Sequence, residues 1–279
     1  AGWNPGWGGT FHCLDLSLSE VERHLLSIFD TLIEEWGYRY LKLDFLYAGL
    51  LRGRHAGGGA AYQHYDRVMG RIGSRTRNSG GKPVAYLGCG AALEASSRHF
   101  PLMRIGADTR ERWEYGVLRL LGYPGRPAAH VNLGHSIARS LFNGTIFRND
   151  PDVLFCRATR IGLSETEKEL VALVAFMFGS QIMVSDSATG AREGLQRAFT
   201  RRMLALHDRL AGGHYGAERL ARDRYRVFSE DRSVEGLINL SDRHWRGPSF
   251  GHKRPIVSHM RAHGSVARYA PHSISLFED

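Results

Sequence analysis

Between residues 18 and 45 the chain changes its hydrophobic period at a single glycine, and this change limits what it can fold into. Val21, Leu25, Ile28, Phe29, Leu32, Ile33 and Trp36 recur at helical spacing and predict one apolar face with Trp36 in the core. Ser17 or Ser19 is the expected N-cap, and Glu20 and Glu22 fall in the first turn, where they complement the helix dipole. Gly37 then stops the helix, as a residue in the left-handed C′ position would. The next segment, Tyr38-Arg39-Tyr40-Leu41-Lys42-Leu43-Asp44-Phe45, reads as a short buried strand ending on a charged pair. Lys42 and Asp44 are two apart, so an extended chain points them to one face. A carboxylate at the C-terminal end of a buried strand that comes after a helix is the layout of an α/β protein with its chemistry at the strand ends.

The alternation continues. A loop over 49–61, expected to be flexible, precedes a helix over 62–75. Strands come next over 84–90 and 102–108, then helices over 110–121 and 131–142, and a strand over 152–156. Ser164-Glu165-Thr166-Glu167 is a capping box before a helix over 165–178 that is apolar nearly all round. A strand over 181–186 and a basic helix over 190–210 complete the series. After Gly212-Gly213 the helical period vanishes. Short alternating pieces at 224–228, 236–240, 256–260 and 273–277 predict an antiparallel domain. The expected organisation is therefore an α/β domain over 1–212 and a small antiparallel β domain over 213–279.

Composition narrows the function class. The chain has 279 residues and is 43% hydrophobic, enough for a sizeable core, and it contains no apolar run long enough to cross a membrane. The sequence shows no signal-peptide pattern, and its three cysteines are widely spaced, which predicts a reducing, cytoplasmic setting without disulfides. The net charge of +9 would suit a polyanion. The arginines are nevertheless interspersed with acids, as in Arg110-Glu111-Arg112-Trp113-Glu114, and form no block, so nucleic acid is not expected as a partner. The fourteen histidines form no HExxH arrangement, and no metal site is expected.

The strand ends carry Lys42 and Asp44, Cys89, Arg104 and Asp108, Asn149 and Asp150, and Ser185 and Asp186. Two carboxylates facing a sugar from opposite sides perform glycoside hydrolysis, one as nucleophile and one as acid and then base. Arginine and lysine would hold sugar hydroxyls through charge-assisted hydrogen bonds, and Trp3, Trp7 and Trp113 could stack on a pyranose. Each candidate also has a plainer reading. Asp44 and Asp108 could cap turns, Asp150 lies in the turn-forming Asn149-Asp150-Pro151-Asp152, and Asp186 could cap the next helix.

The segments GYRYLKLDFLYAG, YLGCGAALEAS, LMRIGADTRERWE and FRNDPDVLFCR, in that order, resemble the melibiase-type α-galactosidases of glycoside hydrolase family 36. The resemblance covers roughly residues 10–190, and the tail resembles that family's C-terminal β domain. It implies a partial (β/α)8 TIM barrel of about strands 4–8, followed by a small antiparallel β-sandwich. It implies retaining hydrolysis of terminal α-galactosides of the melibiose and raffinose type, with no cofactor. Asp44 would be the nucleophile and Asp108 the acid/base. Lys42, Cys89, Arg104, Asp150 and Asp186 would bind substrate.

The sequence departs from the family pattern in two places. It opens just before the strand that would be the fourth, which implies a C-terminal fragment, inactive alone, whose open sheet edges could drive homo-oligomerisation. The segment Ala91-Ala92-Leu93 and Ser97-Arg98-His99-Phe100 differs from the family pattern beside the pocket and leaves the substrate open. The alternatives are an α-N-acetylgalactosaminidase, a transgalactosylase, or a galactoside-binding remnant without catalysis.

Overall fold

A computed structural model describes residues 2–4, 8–121, 127–187 and 194–279. The contacts divide the chain into two compact units, Ala1–Arg104 with Ile146–Arg148, and Ile105–Thr145 with Asn149–Asp279.

In the first unit, β1 (Gly2–Asn4) and β2 (Gly9–Phe11) form an antiparallel ribbon. Helix α1 (Ser19–Asp30) runs into a π-helical turn at Thr31–Glu35. Neither Ser17 nor Ser19 caps it: Leu18 holds the N-cap position, and Ser17 Oγ donates instead to Asp15 Oδ1 at 2.7 Å. The wider π turn rotates the residues after it relative to the helical face, so Leu26, Phe29 and Ile33 are buried while Trp36 stands 65% exposed. The expectation of a core Trp36 fails for this reason. Gly37 does take the left-handed conformation, with φ +72°.

Strands β3 (Tyr40–Leu43), β4 (Ala85–Gly88) and β5 (Leu102–Arg104) pair side by side in parallel. Helix α2 (Ala61–Gly73) comes after the loop expected to be flexible. That loop is tied down: Asp15 Oδ2 accepts from Ala56 N at 2.8 Å, and Ser17 Oγ accepts from Gly57 N at 2.9 Å. The bond from Ala56, together with those from Ser17 and His55, holds the Asp15 carboxyl well below the usual carboxylate range. On α1 the buried Glu22 accepts from Arg67 and Arg71 of α2, so its charge is neutralised across the helix pair. A short helix, α3 (Leu93–Ser96), precedes β5.

In the second unit, α4 (Gly116–Leu120) is a short remnant of the helix expected over 110–121, and α5 (Ala129–Ala138) replaces the one expected over 131–142. Strand β6 (Arg148–Asp150) starts with the first unit's Arg148 and continues into the second, and β7 (Val153–Leu154) and β8 (Met183–Val184) come next along the chain and pair in parallel. Helix α6 (Glu165–Phe178) begins at the expected capping box: Ser164 Oγ accepts from Glu167 N, and Glu167 Oε2 accepts from Ser164 N at 2.7 Å. Its residues Leu170–Ala175 are all buried. Helix α7 (Gly194–Leu210) packs on it.

The remaining strands are β9 (Tyr215–Ala221), β10 (Arg224–Ser229), β11 (Val234–Asn239), β12 (Trp245–Pro248), β13 (Arg254–Val257), β14 (Met260–His263), β15 (Val266–Tyr269) and β16 (Ser273–Glu278). The piece expected over 256–260 is two strands. They form a five-stranded antiparallel sheet, β13-β16-β11-β10-β9, and a three-stranded one, β12-β15-β14. Period-two alternation decides what each face of the larger sheet covers. Ile238, Ile274 and Leu276 join the core built around α6, while Leu237 and Phe277 pack against Ala267 and Tyr269 of the smaller sheet.

Candidate active site

Strand register places the candidate residues of the first unit. Leu41, Lys42 and Leu43 lie opposite Tyr86, Leu87 and Gly88, and Gly88 lies opposite Met103. One residue further on, Asp44, Cys89 and Arg104 form the next row across the three strands. Neighbouring residues in a parallel sheet share a face, so the row and Lys42 point the same way. Cys89 and Arg104 are buried, and Asp44 and Lys42 are exposed. Burial and a hydrogen bond to the Asp44 carboxylate push the Cys89 thiol up to about 11, against the opposing pull of Arg104 and Lys42. The thiol is therefore a donor to Asp44 at neutral pH.

The turn after Asp44 is strained and tightly held. Phe45 takes the left-handed conformation, φ +55°, a region sparsely used by aromatic residues. Its N–H donates to Asp44 Oδ1 at 2.8 Å. Tyr47 N donates to Gly90 O at 2.7 Å and Cys89 N to Leu43 O at 2.8 Å, which fastens the turn to the neighbouring strand end. Gly90 has φ +52°, and a Cβ there would stand 3.2 Å from Phe45 N and 3.3 Å from Asp44 Oδ1. Any side chain there would carry backbone strain and press on the Asp44 turn. A largely apolar cavity of about 730 Å³ also reaches Asp44, but it is lined by Phe29, Leu43, Tyr65 and Met69 on the helix side of the sheet and not by Lys42, Cys89 or Arg104.

Asp108, in the second unit, lies in a loop beyond β5 and not on a strand end as expected. It is exposed, with Arg110 donating to its Oδ2 at 3.3 Å. Its loop is held by side chains from α5 that sequence reasoning does not single out. Asn132 Nδ2 donates to Ala107 O at 2.6 Å and to Pro151 O at 3.1 Å, so one buried amide joins two turns. Ala107 N donates to His135 Nδ1 at 3.4 Å, and Arg139 donates to Ile105 O. Burial, with Arg139 nearby, pulls His135 below the usual histidine range, which suits an imidazole that accepts. A Cβ on Gly106 would lie 2.9 Å from Asn132 Nδ2, so loop and helix touch through a glycine.

Asp150 is wholly buried, and its Oδ1 accepts from Asp152 N at 2.9 Å, while Asp152 Oδ2 accepts from Thr109 N at 2.7 Å. The pair thus anchors the residue next to Asp108. Asp186 does not cap a helix through any described contact. Its Oδ2 accepts from Cys156 N at 2.7 Å, and its Oδ1 pairs with Arg157 at 3.3 Å. Trp113 has one face covered by His272, with centroids 4.0 Å apart and planes 20° from parallel. Trp3 is 71% exposed on β1, and Trp7 lies outside the described residues. Among the described residues no three His, Cys, Asp or Glu side chains gather as metal ligands.

No family profile matches the chain. Its fold is that of solved α-galactosidases. It superposes on the Thermus thermophilus α-galactosidase in complex with p-nitrophenyl α-D-galactopyranoside with TM-score 0.63 at 26% identity, covering 81% of this chain and 43% of that one. It therefore spans less than half the length of that enzyme. Against α-galactosidase I from Mortierella vinacea the TM-score is 0.57 at 14% identity, covering 89% and 69%. Against the isomalto-dextranase of Arthrobacter globiformis T6 in complex with panose it is 0.55 at 18% identity, covering 99% and 51%.

Proposed function

We propose that the chain is the C-terminal part of a retaining α-galactosidase of glycoside hydrolase family 36, acting on melibiose- and raffinose-type galactosides. In this reading residues 1–212 are about strands 4–8 of a (β/α)8 barrel and residues 213–279 its β domain. Asp44 attacks the anomeric carbon, and Asp108 protonates the departing oxygen. Asp108 then takes a proton from water, which releases galactose from the Asp44 ester. Lys42, Arg104 and Cys89 hold the sugar and the nucleophile. The family resemblance implies substrate contact for Asp150 and Asp186. Asp150 is better read as a positioning residue, because its carboxylate supports the Asp108 loop.

The observation that carries the reading is the row of Asp44, Cys89 and Arg104. A carboxylate at the end of a parallel strand is held by its neighbour's backbone and accepts from a thiol, with two cations on the same face. The solved galactosidases support the substrate class. The isomalto-dextranase shares the fold alone, and the fold by itself does not fix the sugar. A second reading, an α-N-acetylgalactosaminidase, is favoured by one feature: the segment after Cys89 and Gly90 carries only the small Ala91 and Ala92.

The test uses the chain extended upstream to a full barrel. Nitrophenol release from the α-galactoside, abolished by Asp44→Ala, is the expected result. Release from the α-N-acetylgalactosaminide alone would select the second reading. Silence on both from a folded protein would leave a galactoside-binding remnant. The 279-residue chain alone is expected to be inactive.

A further inference from the structure

The outward face of the three-stranded sheet points to a function unconnected with Asp44 and Asp108. Arg246 lies opposite Arg268 in the β12-β15 pairing, and Arg261 lies opposite the same Arg268 in the β14-β15 pairing. One row across the sheet is thus three arginines. The row beside it, Trp245, Tyr269 and Met260, packs inward against the domain core, so the arginine row faces outward. All three arginines are exposed.

Side chains directly opposite in an antiparallel pair stand about 5 Å apart, where like charges repel. None of the three makes an ion pair or hydrogen bond among the described residues. By contrast, other basic groups of the domain are matched: Lys253 pairs with Asp279 at 2.7 Å, and Arg226 with Glu235 at 2.7 Å. The surrounding sequence offers nothing to neutralise the row. Residues 243–277 contain five arginines, one lysine and five histidines, and no aspartate or glutamate. A cleft of about 470 Å³ adjoins the row, lined by Arg261, Arg268, His244, Ser258 and His259. The acid at its back, Glu169, is buried and already bonded to His259 at 2.6 Å and to Arg202.

We propose that this face is a docking surface for an acidic polysaccharide, one carrying carboxylates or sulfates along its chain. Three guanidinium forks spaced by the strand separation meet regularly spaced anionic groups and remove the mutual repulsion at the same time. Nucleic acid is the competing polyanion, and the face lacks what its recognition uses. The large rings of this sheet, Trp245 and Tyr269, pack toward the core, and the outward face carries only the smaller imidazole of His263 among its described rings, a poor platform for stacking successive bases. No described helix projects from the face to enter a groove.

The experiment measures binding of the 279-residue chain to polygalacturonate fragments of defined length, to neutral galactan, and to a duplex DNA, each at several salt concentrations. The expected result is binding to polygalacturonate that weakens as salt rises, with no measurable binding to galactan. The triple variant R246Q/R261Q/R268Q should bind at least tenfold more weakly. A control removing the same charge elsewhere, R23Q/R52Q/R54Q, should stay within twofold of the unaltered chain. Because the row is internally repulsive, the triple variant should melt no lower than the unaltered chain. Equal loss in the two triple variants, a lower melting temperature for the row variant, or no binding to polygalacturonate would overturn the proposal. Tighter binding to duplex DNA through the same row would replace the polysaccharide with nucleic acid.

Discussion

The two candidate catalytic carboxylates are held in place by opposite means. Asp44 is fixed by backbone: strand register, a left-handed Phe45 and a glycine that lets the neighbouring strand end approach. Asp108 sits in a loop fixed by side chains reaching from a helix and from the Asp150–Asp152 turn. In the proposed reaction, a nucleophile must meet one carbon atom at a set distance and angle. An acid that later serves as a base must reach two different oxygens. A strained, register-locked turn suits the first, and a loop hung on hydrogen bonds suits the second.

Several substitutions sharpen this contrast. The largest effect is expected from Asn132→Leu, which strips two carbonyls of their donor inside the core and should cost about 3 kcal/mol. Hydrogen exchange should then show faster opening of 105–109 while the turn at 44–47 keeps its protection. If both turns loosened equally, the two sites would not be independently held. Gly90→Ala should act on the other side alone, costing about 2 kcal/mol through its left-handed backbone and the contact with Asp44. Its melting temperature and the exchange at Phe45 N would report it.

A smaller change of opposite sign is expected for Phe45→Gly. Relief of the positive φ should raise stability by about 1 kcal/mol, while the extended enzyme loses activity because the Asp44 turn is no longer locked. Higher activity in that variant would remove strain from the account.

The smallest effect is electrostatic. Burial pulls His272 down, but Glu167 and Asp242 accept from its two ring nitrogens and the net shift is upward. Burial likewise raises Glu167, and the bonds from His272 and Ser164 outweigh it, for a net lowering. A raised histidine stabilises the fold below its ordinary value and loses that contribution as pH rises through the folded value. A lowered carboxylate contributes above its ordinary value and loses that contribution as pH falls. Their joint contribution is therefore greatest in mild acid, between about pH 4.5 and 6.5. Denaturation of His272→Gln across pH 4 to 9 should lack this feature.

The parts of the site carried by local period are legible along the chain. Lys42 and Asp44 stand out because strand alternation and a terminating glycine are written in neighbouring residues, and Ser164–Glu167 because a capping box spans one turn. Trp36 is misplaced by periodicity because a π turn leaves no mark in an i, i+3, i+4 pattern. Asn132 is invisible to it, since a lone amide on a helix has no spacing signature and its partners lie in two other segments. The arginine row escapes for a related reason. Arg246, Arg261 and Arg268 are far apart in sequence and become neighbours only across the strand ladder.

The thiol beside Asp44 has a chemical consequence. With Cys89 pushed up to about 11, only about one molecule in ten thousand carries the thiolate at pH 7. Sulfur is the better nucleophile of the two groups that meet there, yet it stays protonated, and the carboxylate has no rival for an electrophilic carbon. The same protonation shelters Cys89 from alkylating reagents and mild oxidants, as burial shelters Cys156, whose thiol is also raised. Cys13 is exposed. A single equivalent of maleimide should therefore mark Cys13 alone, next to the cavity that Asp44 overlooks.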